Sequence, residues 1–319
     1  MEAIEFRYTS PDGESIYAIK WVPEQTQQLK GVVQIVHGMA EHIGRYERFA
    51  EALCNAGFVV VGNDHRGHGK TAKNQEEAIF FHEEKGWEKV IDDIRQLNRL
   101  ISEENFNLPI FIFGHSMGSF LTKGFIQTNG AGLSGVILSG TGYMSRWSAS
   151  LPLLLAKRDV KKHGMRHVSQ TLAPLITKLY NRPFQPIRTE SDWLSRDLGE
   201  VDKFIEDPMC GKPLSTGFYR DMMEGMAYMD DPNMVAQVPK NLPILLIGGD
   251  KDPVGSFGKG IKKTKKAYEK HELNDVNMKL YEGARHELLN EIIRDQVTTD
   301  LIEWLELKAS NRANVDALL

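Results

Sequence analysis

The feature that most limits how this chain can fold is a recurring short, β-branched apolar run followed by a segment with helical spacing. GVVQIVHG (31–38), FVVVGNDH (58–65), PIFIFGH (109–115), GLSGVILSG (132–140) and LPILLIGGD (242–250) all suit strands buried on both faces. Between them, RYERFAEALCNAG (45–57) sets Tyr46, Phe49 and Leu53 at helical spacing and stops at Gly57. GWEKVIDDIRQLNRLI (86–101) aligns Val90, Ile94, Leu97 and Ile101 on one helix face. This order predicts an α/β fold: a mostly parallel sheet flanked by helices, with right-handed crossovers. IEFRY and SIYAI, alternating around SPDGE, add an N-terminal hairpin.

The alternation breaks near residue 142. From Tyr143 to Val235 the chain is rich in proline, has no buried-strand run and alternates apolar with basic blocks. The sheet pattern then returns with LPILLIGGD, a lysine-rich helix (258–271), VNMKLYEG (276–283) and a final helix expected over Leu288–Leu307. The simplest organisation is a core of residues 1–142 and 236–319 interrupted by a helical cap, 143–235.

Composition narrows the class of partner. A formal charge of −4 over 319 residues gives no general attraction to nucleic acid or anionic lipid. The N-terminal stretch mixes charges and turn residues, and no window approaches the ~18 apolar residues of a membrane span. A soluble cytoplasmic protein is expected. Cys54 and Cys210 lie far apart outside any CxxC spacing, and are expected to be buried free thiols.

Gly114-His-Ser116-Met-Gly118 stands between a predicted strand and a predicted helix, the context in which G-x-S-x-G carries meaning. A serine there sits on strained backbone above the carboxyl edge of the sheet, where open α/β sheets place their ligands. Ser116 is therefore the expected nucleophile. It needs a base within hydrogen-bond reach and an acid to orient that base. His163 and His167 fall in the cap, and His271 ends a surface helix. His286 alone of the later histidines follows a strand of the sheet, and is the expected base. The acid is Asp250 or Asp252 at the end of LPILLIGGDKD. Asp252 has more reach and precedes Pro253, which biases its backbone to extended geometry. The amides of Met117 and, after His37-Gly38, of Met39 are the expected oxyanion donors.

Other motifs lead elsewhere. DHRGHGKT lacks the first glycine of a phosphate-binding loop, having Asp64 in its place. His65 and His68 beside Asp64 read as a hydrogen-bonded loop, since no second cluster at zinc spacing accompanies them. The lysines of 259–270 read as a solvated helix face. SLPLLLAKRDVKKHGMRH places an apolar run before a basic one, which suits either a cap helix packed on the core or a lip in transient membrane-surface contact.

HGMAEHIGRY (37–46), NDHRGHGKT (63–71), GHSMGS (114–119), GDKDPVG (249–255) and YEGARHE (281–287) together resemble the α/β-hydrolase superfamily, specifically its monoacylglycerol lipase and lysophospholipase-like serine hydrolases. The resemblance implies the α/β-hydrolase fold and favours Asp252, the last residue of a G-x-x-D turn beginning at Gly249. It implies ester hydrolysis through an acyl-enzyme, with no metal or organic cofactor and a small-molecule ester or lipid substrate. Monoacylglycerol and lysophospholipid are the first substrates to consider. A short-chain ester, or an amide cleaved by an aminopeptidase on the same core, are the alternatives; a non-catalytic ligand receptor on this scaffold is a remoter one. The cap segment TESDWLSRDLGEVDKFIEDPMCGKPLSTGFYRDMMEGM looks more like that of bacterial lysophospholipase-like hydrolases.

Overall fold

Successive residues of a strand point to opposite faces, so a strand apolar at every position needs cover on both sides. The computed structural model, which describes residues 1–24, 28–74, 76–105 and 107–316 and side chains up to residue 310, shows this cover. Val32, Val36, Ile110, Ile112, Val136, Leu138, Ile244 and Leu246 belong to one core cluster. Their neighbours Val33, Ile35, Phe111, Phe113, Ile137, Leu245 and Ile247 belong to the other.

The strands are β1 (Glu2–Thr9), β2 (Ser15–Val22), β3 (Gly31–Val36), β4 (Phe58–Asn63), β5 (Ile110–His115), β6 (Gly135–Ser139), β7 (Ile244–Gly249) and β8 (Val276–Tyr281). They form one sheet in the order β1-β2-β4-β3-β5-β6-β7-β8. The predicted hairpin pairs Glu2 with Val22 and Thr9 with Ser15, and β2 runs antiparallel to β4. From β4 to β8 every pairing is parallel. The carboxyl ends of β3, β5, β7 and β8 therefore open on one edge of the sheet.

The helices are α1 (Glu47–Asn55), α2 (Gly86–Glu104), α3 (Met117–Asn129), α4 (Arg146–His163), α5 (Leu172–Asn181), α6 (Leu198–Glu206), α7 (Thr216–Met229), α8 (Pro232–Val235), α9 (Lys259–Lys270) and α10 (Arg294–Asp316). Residues of α2, α3 and α9 pack on one face of the sheet, while α1 and α10 cover the other through Phe49, Leu53, Val297, Leu301 and Leu305. Between β6 and β7 lie α4 to α8, an inserted helical region with only an isolated bridge, Val168 to Ser215, inside it.

One expectation needs correction. The last helix does not start at Leu288: a 3-10 turn covers Leu288–Asn290, and α10 begins at Arg294 and runs on to Asp316. The cause is the buried carboxylate of Glu291, which accepts the amides of Arg285 and Arg196 and the Arg196 side chain. These bonds hold Glu291 in extended geometry, so no helix passes through it. In α4, the apolar run 151–155 divides between two faces. Leu153 and Leu155 pack against the core, whereas Leu151 and Leu154 face outward with Trp147, which is 89% exposed.

Both cysteines are buried free thiols, and burial pushes Cys54 up to about 11, which keeps it unreactive. Among the described residues no helix is long and apolar enough to cross a membrane.

Candidate active site

Ser116 follows β5 and precedes α3 with φ of 52° and ψ of −122°, a left-handed conformation that a residue with a Cβ adopts only when its surroundings impose it. Its amide donates to the Ser139 carbonyl at 2.9 Å, so the neighbouring strand β6 anchors the corner. On the helix side the approach is close: a Cβ on Gly118 would fall 2.0 Å from the Val36 carbonyl oxygen. Only glycine lets α3 start against the end of β3.

The loops after β7 and β8 meet beyond this corner. The Lys251 amide donates to the Ala284 carbonyl at 3.0 Å, and Asp250 accepts the Gly283 amide at 2.8 Å. Asp250 is thus occupied in bracing the two loops. Asp252 is buried, and its Oδ1 lies 3.0 Å from Nδ1 of His286. The contact is within hydrogen-bond distance but off-line, and His286 Nε2 has no partner among the described residues. Oδ1 of Asp252 also accepts the Val254 amide at 2.8 Å, which fixes the carboxylate. Gly140, at φ of 59°, directly follows β6 beneath the imidazole; a Cβ there would come within 2.9 Å of His286 Cε1.

Burial alone would lower the pKa of His286. The Asp252 carboxylate, with Glu287 and Glu41 behind it, outweighs burial and raises the imidazole above its ordinary value. His115 packs on His286 with ring centres 4.8 Å apart; burial and the His286 charge take it down to about 4, leaving it a neutral spacer. Trp193, from the inserted region, covers His286 from another side at 4.9 Å.

The expected oxyanion donors lie at this site. The Met117 amide is in the first turn of α3, where no preceding turn offers an acceptor. Among the described residues no carbonyl or side chain accepts from the Met39 amide. The Gly38 amide, by contrast, is taken by Glu41 at 2.5 Å.

Two cavities meet at Ser116. One, of about 240 Å³, carries polar groups including Glu41, Thr177, Glu190 and His286. The other, of about 280 Å³, is walled by Phe120, Leu172, Ile176, Met222, Met223 and Met226. Met39, Ile176, Tyr180 and Trp193 border both. The arrangement suits a substrate with an apolar arm and a more polar arm joined at the atom Ser116 would attack.

Four side chains that shape this site carry no role in the sequence reading: Glu41, Arg45, Trp193 and Glu287. Glu41 and Arg45 stand inside HGMAEHIGRY, whose length beyond the oxyanion residues was the available signal. The histidines set aside lie elsewhere: His163 and His167 stack on each other at 4.7 Å, and His271 caps α9. Asp64, in the loop that resembles a phosphate cradle, accepts the amides of Ile43 and Lys70, which is a structural task. His42, Asp207 and Cys210 bring possible metal-ligating atoms within 4.8 Å of one another, but His42 and Asp207 already pair at 2.9 Å.

Residues 27–293 match the family model described as serine aminopeptidase, S33. A monoacylglycerol lipase of Mycolicibacterium smegmatis is 29% identical, covering 94% of this chain and 96% of its own. A monoglyceride lipase of Rattus norvegicus is 27% identical over 95% of this chain and 89% of its own. Among solved structures, a thermostable carboxyl esterase of Bacillus coagulans in complex with glycerol superposes with a TM-score of 0.86 at 30% identity, covering 97% and 99% of the two chains. A lipase in its open form gives 0.84 at 28% identity, over 97% and 99%. With this family match over most of its length, the chain belongs to the serine aminopeptidase S33 family, among the esterase- and lipase-like serine hydrolases of the α/β-hydrolase superfamily.

Proposed function

We propose that this serine hydrolase is a carboxylesterase with Ser116 as nucleophile, His286 as general base, Asp252 as its orienting acid and the Met39 and Met117 amides as oxyanion donors. The observation that carries the reading is one cavity bordered by a strained serine and by a buried histidine in contact with a buried aspartate. Ser116 Oγ attacks the ester carbonyl carbon while His286 Nε2 takes its proton. The tetrahedral oxyanion collapses, the C–O bond to the alcohol breaks, and His286 returns the proton to the departing oxygen. Water then attacks the acyl-enzyme, giving its proton to His286, which passes it to Ser116 as the acid leaves.

Residues 143–235 act in this reading as a cap that supplies the apolar wall for the acyl chain. The likeness to a carboxyl esterase at 30% identity supports ester chemistry in general. Monoacylglycerol and lysophospholipid are narrower proposals within it, supported by the apolar cavity and by relatives named monoacylglycerol lipase. The peptidase alternative needs an acid to hold a substrate amine. Glu41 and Glu287 border the polar cavity, but their carboxylates are already engaged by Arg45, the Gly38 amide, Tyr46 and Asn290, and Glu190 is exposed. A chain-length series of p-nitrophenyl esters beside an amino-acyl anilide tests the proposal. Esters turn over and the anilide does not; preference for the anilide would replace the esterase reading by the peptidase one.

The outward residues Trp147 and Leu154 support transient contact of the cap with a membrane surface. Co-sedimentation with phosphatidylcholine vesicles should fall for Trp147→Ser/Leu154→Ser, and equal pelleting would remove this proposal.

A further inference from the structure

Arg45 joins parts of the active-site wall that come from distant stretches of chain. Its Nη1 donates to Glu41 Oε2 at 2.6 Å and to Glu287 Oε1 at 2.8 Å, and its Nη2 donates to Glu287 Oε2 at 2.8 Å. The guanidinium also lies over the Phe204 ring at 4.9 Å, where α6 comes down from the inserted region. Side-chain exposures of 11%, 4% and 7% for Arg45, Glu41 and Glu287 put all three charges in the interior.

Each carboxylate has a second attachment. Glu41 Oε1 accepts the Gly38 amide at 2.5 Å and the Tyr46 hydroxyl at 2.8 Å, so it sets the path of the loop that presents the Met39 amide. Glu287 directly follows His286, accepts from Asn290 at 2.9 Å, and donates its own amide to the Leu194 carbonyl at 2.8 Å. Leu194 is the neighbour of Trp193, the ring that covers His286. The cap also reaches the oxyanion loop directly, through Gly211 N–H to the Ala40 carbonyl at 2.8 Å.

We infer that Arg45 is a positioning residue for ester hydrolysis: through Glu41 it fixes the oxyanion loop and through Glu287 the loop carrying His286, so that both sides of the site hold one alignment. The inference rests on the triad reading above. A planar bidentate fork performs this task and an ammonium does not, because only the fork can satisfy two carboxylates at set angles. The charges also bear on the base. The groups facing His286 are Asp252 from the loop after β7, Glu287 of its own loop, Glu41 from the loop after β3, His115 of β5 and Trp193 of the cap, with Arg45 behind, paired to both glutamates and facing His115. Arg45 opposes an imidazolium at position 286, and Glu287 and Glu41 favour it.

The test compares Arg45→Lys, Arg45→Gln and Glu287→Gln for kcat, KM and the acid limb of kcat/KM on p-nitrophenyl butyrate, with Ser116→Ala as control and thermal unfolding as a check of fold. Arg45→Lys keeps the charge but loses the fork: kcat should fall ~10-fold or more while KM and the acid limb stay near wild type. Arg45→Gln should move the acid limb to higher pH and Glu287→Gln to lower pH, each by ~0.5 unit or more. If Arg45→Gln does not fold, Arg45→Lys and Glu287→Gln carry the test. Folded variants with wild-type kcat, or a Glu287→Gln limb that stays put or moves upward, overturn the inference. Activity surviving in Ser116→Ala would instead overturn the triad reading beneath it.

Discussion

Lys123 and Asp230 form a fully buried ion pair, Nζ to Oδ1 at 2.9 Å, that ties the helix opening at Ser116 to the end of α7. The ammonium also donates to the Gly142 carbonyl at 2.7 Å and Thr264 at 3.2 Å, and Asp230 accepts the Met144 amide at 2.9 Å. Burial lowers the Lys123 pKa, and Asp230 is what keeps the charge tolerable there. Removing one partner leaves an uncompensated charge. Asp230→Leu should cost about 3–5 kcal/mol in denaturant unfolding, and Asp230→Leu/Lys123→Met should recover much of that loss.

The acid limb of the rate profile reports the base. As the proposed base, His286 must be neutral to take a proton, and its pKa is raised, so activity is expected to be complete only well above the ordinary histidine value and to be lost as pH falls through the raised one. The limb in kcat/KM is expected above pH ~6.5. Asp252→Asn should lower the limb and reduce kcat by about 10³–10⁴-fold while Asp250→Asn, whose carboxylate braces Gly283, leaves kcat within about 10-fold.

Gly118 is the tightest backbone approach beside Ser116. With 2.0 Å between a new Cβ and the Val36 oxygen, Gly118→Ala forces α3 away from β3. A loss of about 3 kcal/mol or more in unfolding is expected, together with a fall in kcat, because Ser116 moves with the helix.

In the proposed reading the apolar cavity receives the acyl chain and sets its length. Met223 lines it among Met222, Met226 and Leu172, and is almost fully buried. Met223→Trp should reduce kcat/KM for decanoate relative to acetate esters by about 10-fold or more, with acetate nearly unchanged. A parallel fall for both esters would place the acyl chain elsewhere.

The sheet was legible because its strands are continuous β-branched runs and both faces carry the same signal. The order of the candidate site residues was legible for a related reason: in a parallel sheet, residues just after strands share one edge whatever their separation in sequence. What stayed hidden depends on tertiary partners. The delayed start of α10 follows from donors converging on Glu291, and two of them, the amide and side chain of Arg196, come from far away in sequence. The outward turn of Leu151 and Leu154, against the inward turn of Leu153 and Leu155, is a matter of helix phase that a solid apolar run does not reveal. Nothing in the sequence around Arg45 marks that residue 287 comes beside it.

Covalent labelling by a fluorophosphonate, followed by peptide mapping, reaches the central claim most directly. The account predicts one phosphonyl group per chain, on Ser116, with labelling abolished in Ser116→Ala and strongly slowed in His286→Ala. Stoichiometric labelling that persists in Ser116→Ala, or a folded wild-type protein that takes up no label, would contradict it.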